Sequence, residues 1–434
     1  MKRSNFKFVT FLLSLIFFTS CSDDDNGSID EEPVALEFRD IESDWVRLSV
    51  MRDGKIDVMQ ANTGEIVFSV EGQLVDGARY YTSNSGRYLT VIERNEGRVR
   101  FFDSGIVNHD DHGHEYEAKW LNLGLNTLLP THYASTGGHI VIFNDGDGSI
   151  SYINEAQLEI PSYQPETFAL ANTVAHHGAG FRLNNGMFVA TFKNTNEPGG
   201  IPQMVKFIDA NGNVIDDNGG VEVVGIHGDA VNGTYGVFGS TDGVILVDNQ
   251  NNIDLIPNVE GLNAERFNWL GTLKGHDNSD LFFARSRNQG VFMIDPADKS
   301  LSSLYKGSDV VGDMYSFDGA YYLVHTSDNT IRVFDGQTGS PITERTIDMA
   351  NIPQPAAQKR PSETDILRDM EGPSPVLVCS DKFLYVLAPN RTQIKVLEIK
   401  SLKHVHTMEL GAPAESIMKN GFSIEGEQHP DYSH

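Results

Sequence analysis

The sequence predicts an all-β fold, a single β-propeller, on three observations. Short apolar alternating strands separated by Gly/Asn/Asp turns recur about eight times along the chain. No long stretch holds a helical hydrophobic period, which argues against a helical bundle or repeat. Glycine makes up 41 of the 434 residues, many of them in Asn-Gly and Asp-Gly pairs that close tight turns. At roughly 150 residues per domain the length would suggest two or three domains, but propellers run far longer as one unit.

Residues 1–20 read as an export signal. Lys2, Arg3 and Lys7 form a positive start, and the apolar core over 8–18 is too short and too N-terminal for a mature membrane span. Phe18-Thr19-Ser20-Cys21 resembles a bacterial lipobox, in which cleavage precedes a cysteine that is then acylated, so Cys21 is the expected lipidation site. Loss of the signal leaves 30 basic side chains against 60 acidic ones, a formal charge of −30. Such a surface repels phosphate backbones, which argues against nucleic-acid binding, and attracts metal cations.

Residues 21–44 read as a lipidated acidic tether, in which 22–32, polar, acidic and nearly free of apolar residues, is expected to be disordered. The acidic run directly after Cys21 resembles the signal by which some bacteria send lipoproteins to the outer face of the outer membrane. The expectation is an envelope lipoprotein anchored to the outer membrane by its lipid alone, periplasmic or surface-exposed. The other cysteine is Cys379, so the mature body is expected to hold no disulfide.

The propeller is expected over 45–412, with a C-terminal tail over 413–434. Unit one spans 47–71 with the turn Asp53-Gly54, unit two 80–103 with Ser85-Gly86, and unit three 132–153 with Gly137-Gly138. Unit four, 177–215, turns at Asn185-Gly186 and carries a long insertion, 194–203, before its third strand. Unit five is 228–256, unit six 273–305, unit seven 313–347 and unit eight 376–410. Segment 351–373, rich in Pro, Ala and charge, reads as a surface excursion between the last two. No unit can bury its apolar face alone, so neighbours must stack radially. Eight units predict eight blades; the alternative is that the N-terminal unit lends strands to the last blade and leaves seven closed sheets.

The 14 histidines are informative because propeller strands need none. His132, His176, His177, His227 and His276 fall at or just before the first strand of successive units, the strands that line a propeller's central channel. Imidazoles from distant parts of the chain would thereby converge on one axial mouth and on a metal, without a compact motif. Two of the contexts, His176-His177-Gly178-Ala179 and Ile226-His227-Gly228-Asp229-Ala230, follow histidine with glycine, which suggests a tight backbone. For any single member the alternative is an ordinary inter-blade hydrogen bond, and Gly275-His276-Asp277-Asn278 in particular resembles a plain turn.

A second feature lies over 108–117, where His109, Asp110, Asp111, His112, His114 and Glu115 crowd into a polar stretch that reads as the link between units two and three. Imidazole and carboxylate are good Zn²⁺ donors, and their density suits a metal-capture loop. Imidazole sites bind Cu²⁺ and Ni²⁺ as well, so the donors alone leave the metal open. Asn144-Asp145-Gly146-Asp147-Gly148 would suit Ca²⁺ but is read more simply as a β-turn.

Phe101-Phe102-Asp103-Ser104-Gly105, the His/Asp loop, Pro130-Thr131-His132, His176-His177-Gly178, His227-Gly228-Asp229-Ala230 and Phe238-Gly239-Ser240-Thr241-Asp242-Gly243-Val244, in that order, resemble the AztD-type zinc metallochaperones. The resemblance covers roughly 45–410. It implies an extracytoplasmic propeller that holds zinc and passes it to the solute-binding protein of a zinc ABC transporter or another zinc-uptake component. It implies His132, His177 and His227 as the tight site, with Asp229 a ligand or a partner behind one, and His109, His112 and His114 as residues that capture or transfer metal. A Cys pair frequent in that family is missing, its positions corresponding to Val223 and Ser240.

Two other classes remain in view. A lactonase-like hydrolase would use a channel metal beside a general base such as Asp229 or Glu115, but the chain has no nucleophile elbow and no phosphate-cradling Gly loop. A metal-independent envelope scaffold would leave the histidine pattern accidental.

Overall fold

The computed structural model describes residues 37–109, 112–216, 220–349 and 375–424. The expected export signal, Cys21, most of the tether, Asp110, Asp111 and segment 351–373 lie outside the described residues. The described strands pair antiparallel into eight four-stranded sheets, several of their middle strands buried along the whole length, so the eight-blade expectation holds.

Blade 1 joins Ser416–Gly421, innermost, to Val46–Arg52, Lys55–Gln60 and Ile66–Glu71. Blade 2 is Arg79–Thr82, Tyr88–Glu93, Arg98–Asp103 and Lys119–Asn126; blade 3 is Pro130–Thr136, His139–Asn144, Ser149–Asn154 and Glu166–Phe168. Blade 4 is Gly180–Arg182, Phe188–Phe192, Met204–Ile208 and Val214–Asp216, and blade 5 is Ile226–Val231, Tyr235–Ser240, Gly243–Asp248 and Ile253–Pro257. Blade 6 is Thr272–Lys274, Phe282–Ser286, Gly290–Asp295 and Ser300–Tyr305, blade 7 is Val310–Tyr315, Tyr321–Thr326, Thr330–Asp335 and Pro341–Thr346, and blade 8 is Val376–Cys379, Phe383–Leu387, Gln393–Glu398 and His404–Glu409.

The ring closes differently from either sequence alternative. The segment read as a tail supplies the inner strand of blade 1, in register Val46↔Gly421 to Met51↔Ser416, so the propeller extends past 412. This pairing covers the edge that the N-terminal strands would otherwise expose. It also buries Ile417, Lys419 and Asn420.

The core lies between blades. Phe181 and Val189 of blade 4 pack with Phe238 and Ile245 of blade 5, and Leu48 and Val50 of blade 1 with Tyr385 and Val396 of blade 8. Each such aromatic or branched side chain contributes about 1.5–3 kcal/mol by leaving water.

Antiparallel order gives the ring two distinct faces. Every inner strand starts on one, here termed the leading face, which also carries the turns between second and third strands. The trailing face carries the turns after the first and third strands.

Candidate metal centre

His132 sits two residues into the inner strand of blade 3, His177 just before that of blade 4, and His227 one residue into that of blade 5. All three therefore occupy the leading mouth of the channel. The strands of blades 3 and 5 each shift register beside their histidine, between Pro130 and His132 and between Ile226 and Asp229. Bulges of this kind re-aim side chains. The blade 4 insertion laces the segments together, with His177 N donating to Gly200 O at 2.9 Å and Ile226 N to Pro202 O at 2.8 Å.

The three rings converge, with centroids 4.9, 5.1 and 5.5 Å apart. One ligand atom from each lies within 4.8 Å of the others. His132 Nε2 and His177 Nε2 are 3.2 Å apart. Two imidazole nitrogens bound to one tetrahedral zinc at ordinary Zn–N lengths stand about 3.3 Å apart, so this pair already has a chelating bite.

Two of the rings are hydrogen-bonded at Nδ1, and a carboxylate stands behind the third. His177 Nδ1 is 2.7 Å from Asp145 Oδ2, and His227 Nδ1 donates to Gly271 O at 2.7 Å. Asp229 Oδ1 stands 3.5 Å behind His132 Nδ1. On His177 and His227 the hydrogen bond at Nδ1 leaves Nε2 as the metal-facing atom and orients the ring. Asp145 is held in turn by Arg94, at 2.9 Å. Burial raises the Asp145 pKa, but hydrogen bonds from His177 and Arg94 outweigh it and hold the carboxyl below its usual range. Asp229 is buried, with Oδ2 lacking a hydrogen-bond partner, and burial pushes its pKa up to about 8. It stands behind a ring and is not one of the three converging groups.

His132 titrates well below the ordinary imidazole value, through burial first and then the neighbouring His177 and His227. It is a neutral donor at pH 7. Donor type, spacing and backing all fit a divalent transition metal, with Gly178, Ala179, Thr191, Pro202, Ile226 and Gly228 completing the lining.

The other sequence candidates fall elsewhere. His176 turns away from its neighbour into the protein, where Nδ1 donates to Val174 O at 2.7 Å and Nε2 lies 3.2 Å from Thr191 Oγ1, so the structure places it outside the cluster. His276 is the plain turn residue, Nε2 donating to Phe317 O and Nδ1 accepting from Asn278 N. Asp147 caps its own turn at Ser149 N, and Asp145 serves His177, so the run over 144–148 is spent on structure and on the site.

His109, His112 and His114 do come together, with ligand atoms within 4.8 Å of one another and all three exposed. The link expected between units two and three is instead a hairpin, Ile106–Asn108 with Gly113–Glu115, inserted between the third and fourth strands of blade 2. It therefore stands on the trailing face, opposite the channel imidazoles. Glu115 is taken by Arg47 at 2.6 Å and is not part of the trio. Sequence reasoning missed Asp145, Arg94 and Gly271.

The fold and site together define an eight-bladed β-propeller with a three-imidazole centre at one channel mouth. No protein-family model matches the chain. Among solved structures it is similar to AztD from Citrobacter koseri: to the apo form at 20% identity and a TM-score of 0.69, over 87% of this chain and 98% of that one. A further crystal structure of Citrobacter koseri AztD matches at 20% identity and a TM-score of 0.71, over 89% and 100%. The dihydro-heme d1 dehydrogenase NirN in complex with DHE matches at 13% identity and a TM-score of 0.53, over 89% and 76%. At these identities the likeness bears on fold.

Proposed function

We propose that this chain is an envelope zinc-binding protein that holds Zn²⁺ at His132, His177 and His227 and yields it to a zinc-uptake partner, as the AztD-type resemblance implies. The single observation that carries this reading is the 3.2 Å Nε2–Nε2 bite of His132 and His177, with His177 Nδ1 already hydrogen-bonded to Asp145. Three protein ligands leave one coordination position, which an incoming partner ligand would use to draw the metal away by exchange. The exposed trio His109, His112 and His114 binds zinc as well, and the acidic surface raises the local cation concentration. Export through residues 1–20 and lipidation at Cys21 would hold the propeller at the outer membrane.

The hydrolase alternative gains no support from geometry. Asp229 lies behind a ligand ring, and Glu115 is paired with Arg47 on the other face, so neither addresses a water at the open position.

Zinc titration against a competing chelator tests the proposal, with wild type beside the H132A/H177A/H227A variant. Tight binding at the channel that disappears in the variant is the expected result. Equal binding by both would overturn it.

A further inference from the structure

We infer that the hairpin imidazoles and the channel imidazoles are two separate zinc sites with no route between them inside one molecule, so that zinc passes from one to the other only by leaving the protein. The inference rests on the zinc reading above and refines it.

Strand direction places the sites on opposite faces. The hairpin interrupts blade 2 after its third strand, on the trailing face, while His132, His177 and His227 all precede or begin inner strands, on the leading face. Inner strands of about six residues at ~3.3 Å each separate the two by about 20 Å.

The trailing mouth is drawn shut from several sides. Asn84, on the turn after the inner strand of blade 2, donates from Nδ2 to Asp277 Oδ2 at 3.0 Å. Asp277 occupies the corresponding turn of blade 6, directly across an eight-bladed ring. Gly137 N of blade 3 donates to the same oxygen at 2.7 Å, and Ser135 Oγ donates to Asn84 Oδ1. Phe317 of blade 7 reaches Gly86 of blade 2 so closely that a Cβ there would lie 3.1 Å from its ring. Lys419 Nζ of blade 1 caps that ring, 2.9 Å from the centroid. Turns from four blades, with Lys419 from the inner strand of blade 1, thus close the mouth through which a hairpin-bound ion would have to enter the channel.

The hairpin cannot carry its metal around the rim either. Glu115 is tied to Arg47 of blade 1, and Gly113 lies flat on Trp45, where a Cβ would come within 2.4 Å of the indole. Tyr116 N donates to Gly105 O at 2.8 Å and pins the base. Each arm is about five residues, a fully extended reach of at most about 17 Å, less than the thickness of the ring it would have to pass.

The test is stopped-flow loading with a limiting amount of zinc alone, every sample carrying W45F and W120F so that the emission read is that of Trp269, whose ring centroid is 6.2 Å from that of His227. Three samples of the full mature chain are compared: wild type, the H109A/H112A/H114A variant, and an equimolar mixture of that variant with the H132A/H177A/H227A variant. The mixture holds as many hairpin and channel sites as wild type, but never both on one molecule. The expected result is that wild-type channels fill within twofold of the rate in the mixture. Filling more than tenfold faster in wild type would reveal an internal route and overturn the inference while leaving the zinc reading intact. Failure of the H132A/H177A/H227A variant to take up any zinc would remove the hairpin site, with the same consequence. Absence of channel filling in every sample would overturn the zinc reading and this inference with it.

Discussion

Asp145 Oδ2 and His177 Nδ1 stand 2.7 Å apart, across the junction of blades 3 and 4. The carboxylate fixes the tautomer that leaves Nε2 toward the other rings, and it holds the ring in that orientation. Asp145→Asn keeps the shape of the side chain and removes its charge. The expected outcome is a 10–100-fold loss of zinc affinity in chelator competition, with folding retained.

His176 and His177 are neighbours in sequence with opposite fates. His176→Ala removes a buried ring and the hydrogen bond that the half-buried Val174 carbonyl accepts from it, while the Thr191 hydroxyl keeps Ala179 N and O as partners. A stability loss of about 1–3 kcal/mol is expected. Zinc affinity should stay within about threefold of wild type, because the ring makes no approach to the converging trio. His177→Ala should do the reverse. Thermal denaturation and zinc titration of the two variants check the pair.

Acid should destabilise the metal-free protein partly through His132. Burial, then His177 and His227, hold its folded pKa well below the ordinary 6.5. Between that depressed value and 6.5 the unfolded chain binds a proton that the folded chain does not, so stability falls as pH drops through this window. His132→Ala removes the difference. Between pH 7 and pH 5 the Tm of metal-free wild type should therefore fall further than that of the variant. Parallel Tm curves would contradict the assignment. His176, also lowered chiefly by burial, acts in the same direction in both proteins and cancels from the comparison.

What could be read from the sequence follows from which forces leave a local trace. Strand alternation and Gly-containing turns do, so the repeated units and the inner-strand histidines were legible. The closing strand Ser416–Gly421 has no hairpin partner of its own and pairs with the opposite end of the chain, which no local pattern records. The sequence pattern ends unit two at 103. Its fourth, Lys119–Asn126, lies beyond the histidine hairpin, so the hairpin passed for a linker and its face was lost. Asp145 sits in an ordinary-looking turn, and the Gly271 carbonyl has no side-chain signature at all. The choice between His176 and His177 left no such trace, because both precede the strand Gly180–Arg182 and His177 sits at a bend, where strand alternation does not apply.

Gly228 offers the sharpest test of how the backbone aims the site. Its φ is +76°, and a Cβ there would lie 2.5 Å from Gly271 O, the same carbonyl that accepts from His227 Nδ1. Gly228→Ala therefore does two things at once: it strains a left-handed residue, at about 1–3 kcal/mol, and it displaces the group that orients a ligand. Gly54, in the first turn of blade 1, separates these effects, because its φ is +75° but nothing lies within 4 Å of a Cβ placed there. Gly54→Ala should lower Tm and leave zinc affinity unchanged. Gly228→Ala should lower Tm at least as far and weaken zinc binding more than tenfold. Equal affinities for the two variants would mean that the Gly271 carbonyl does not hold His227 for the metal.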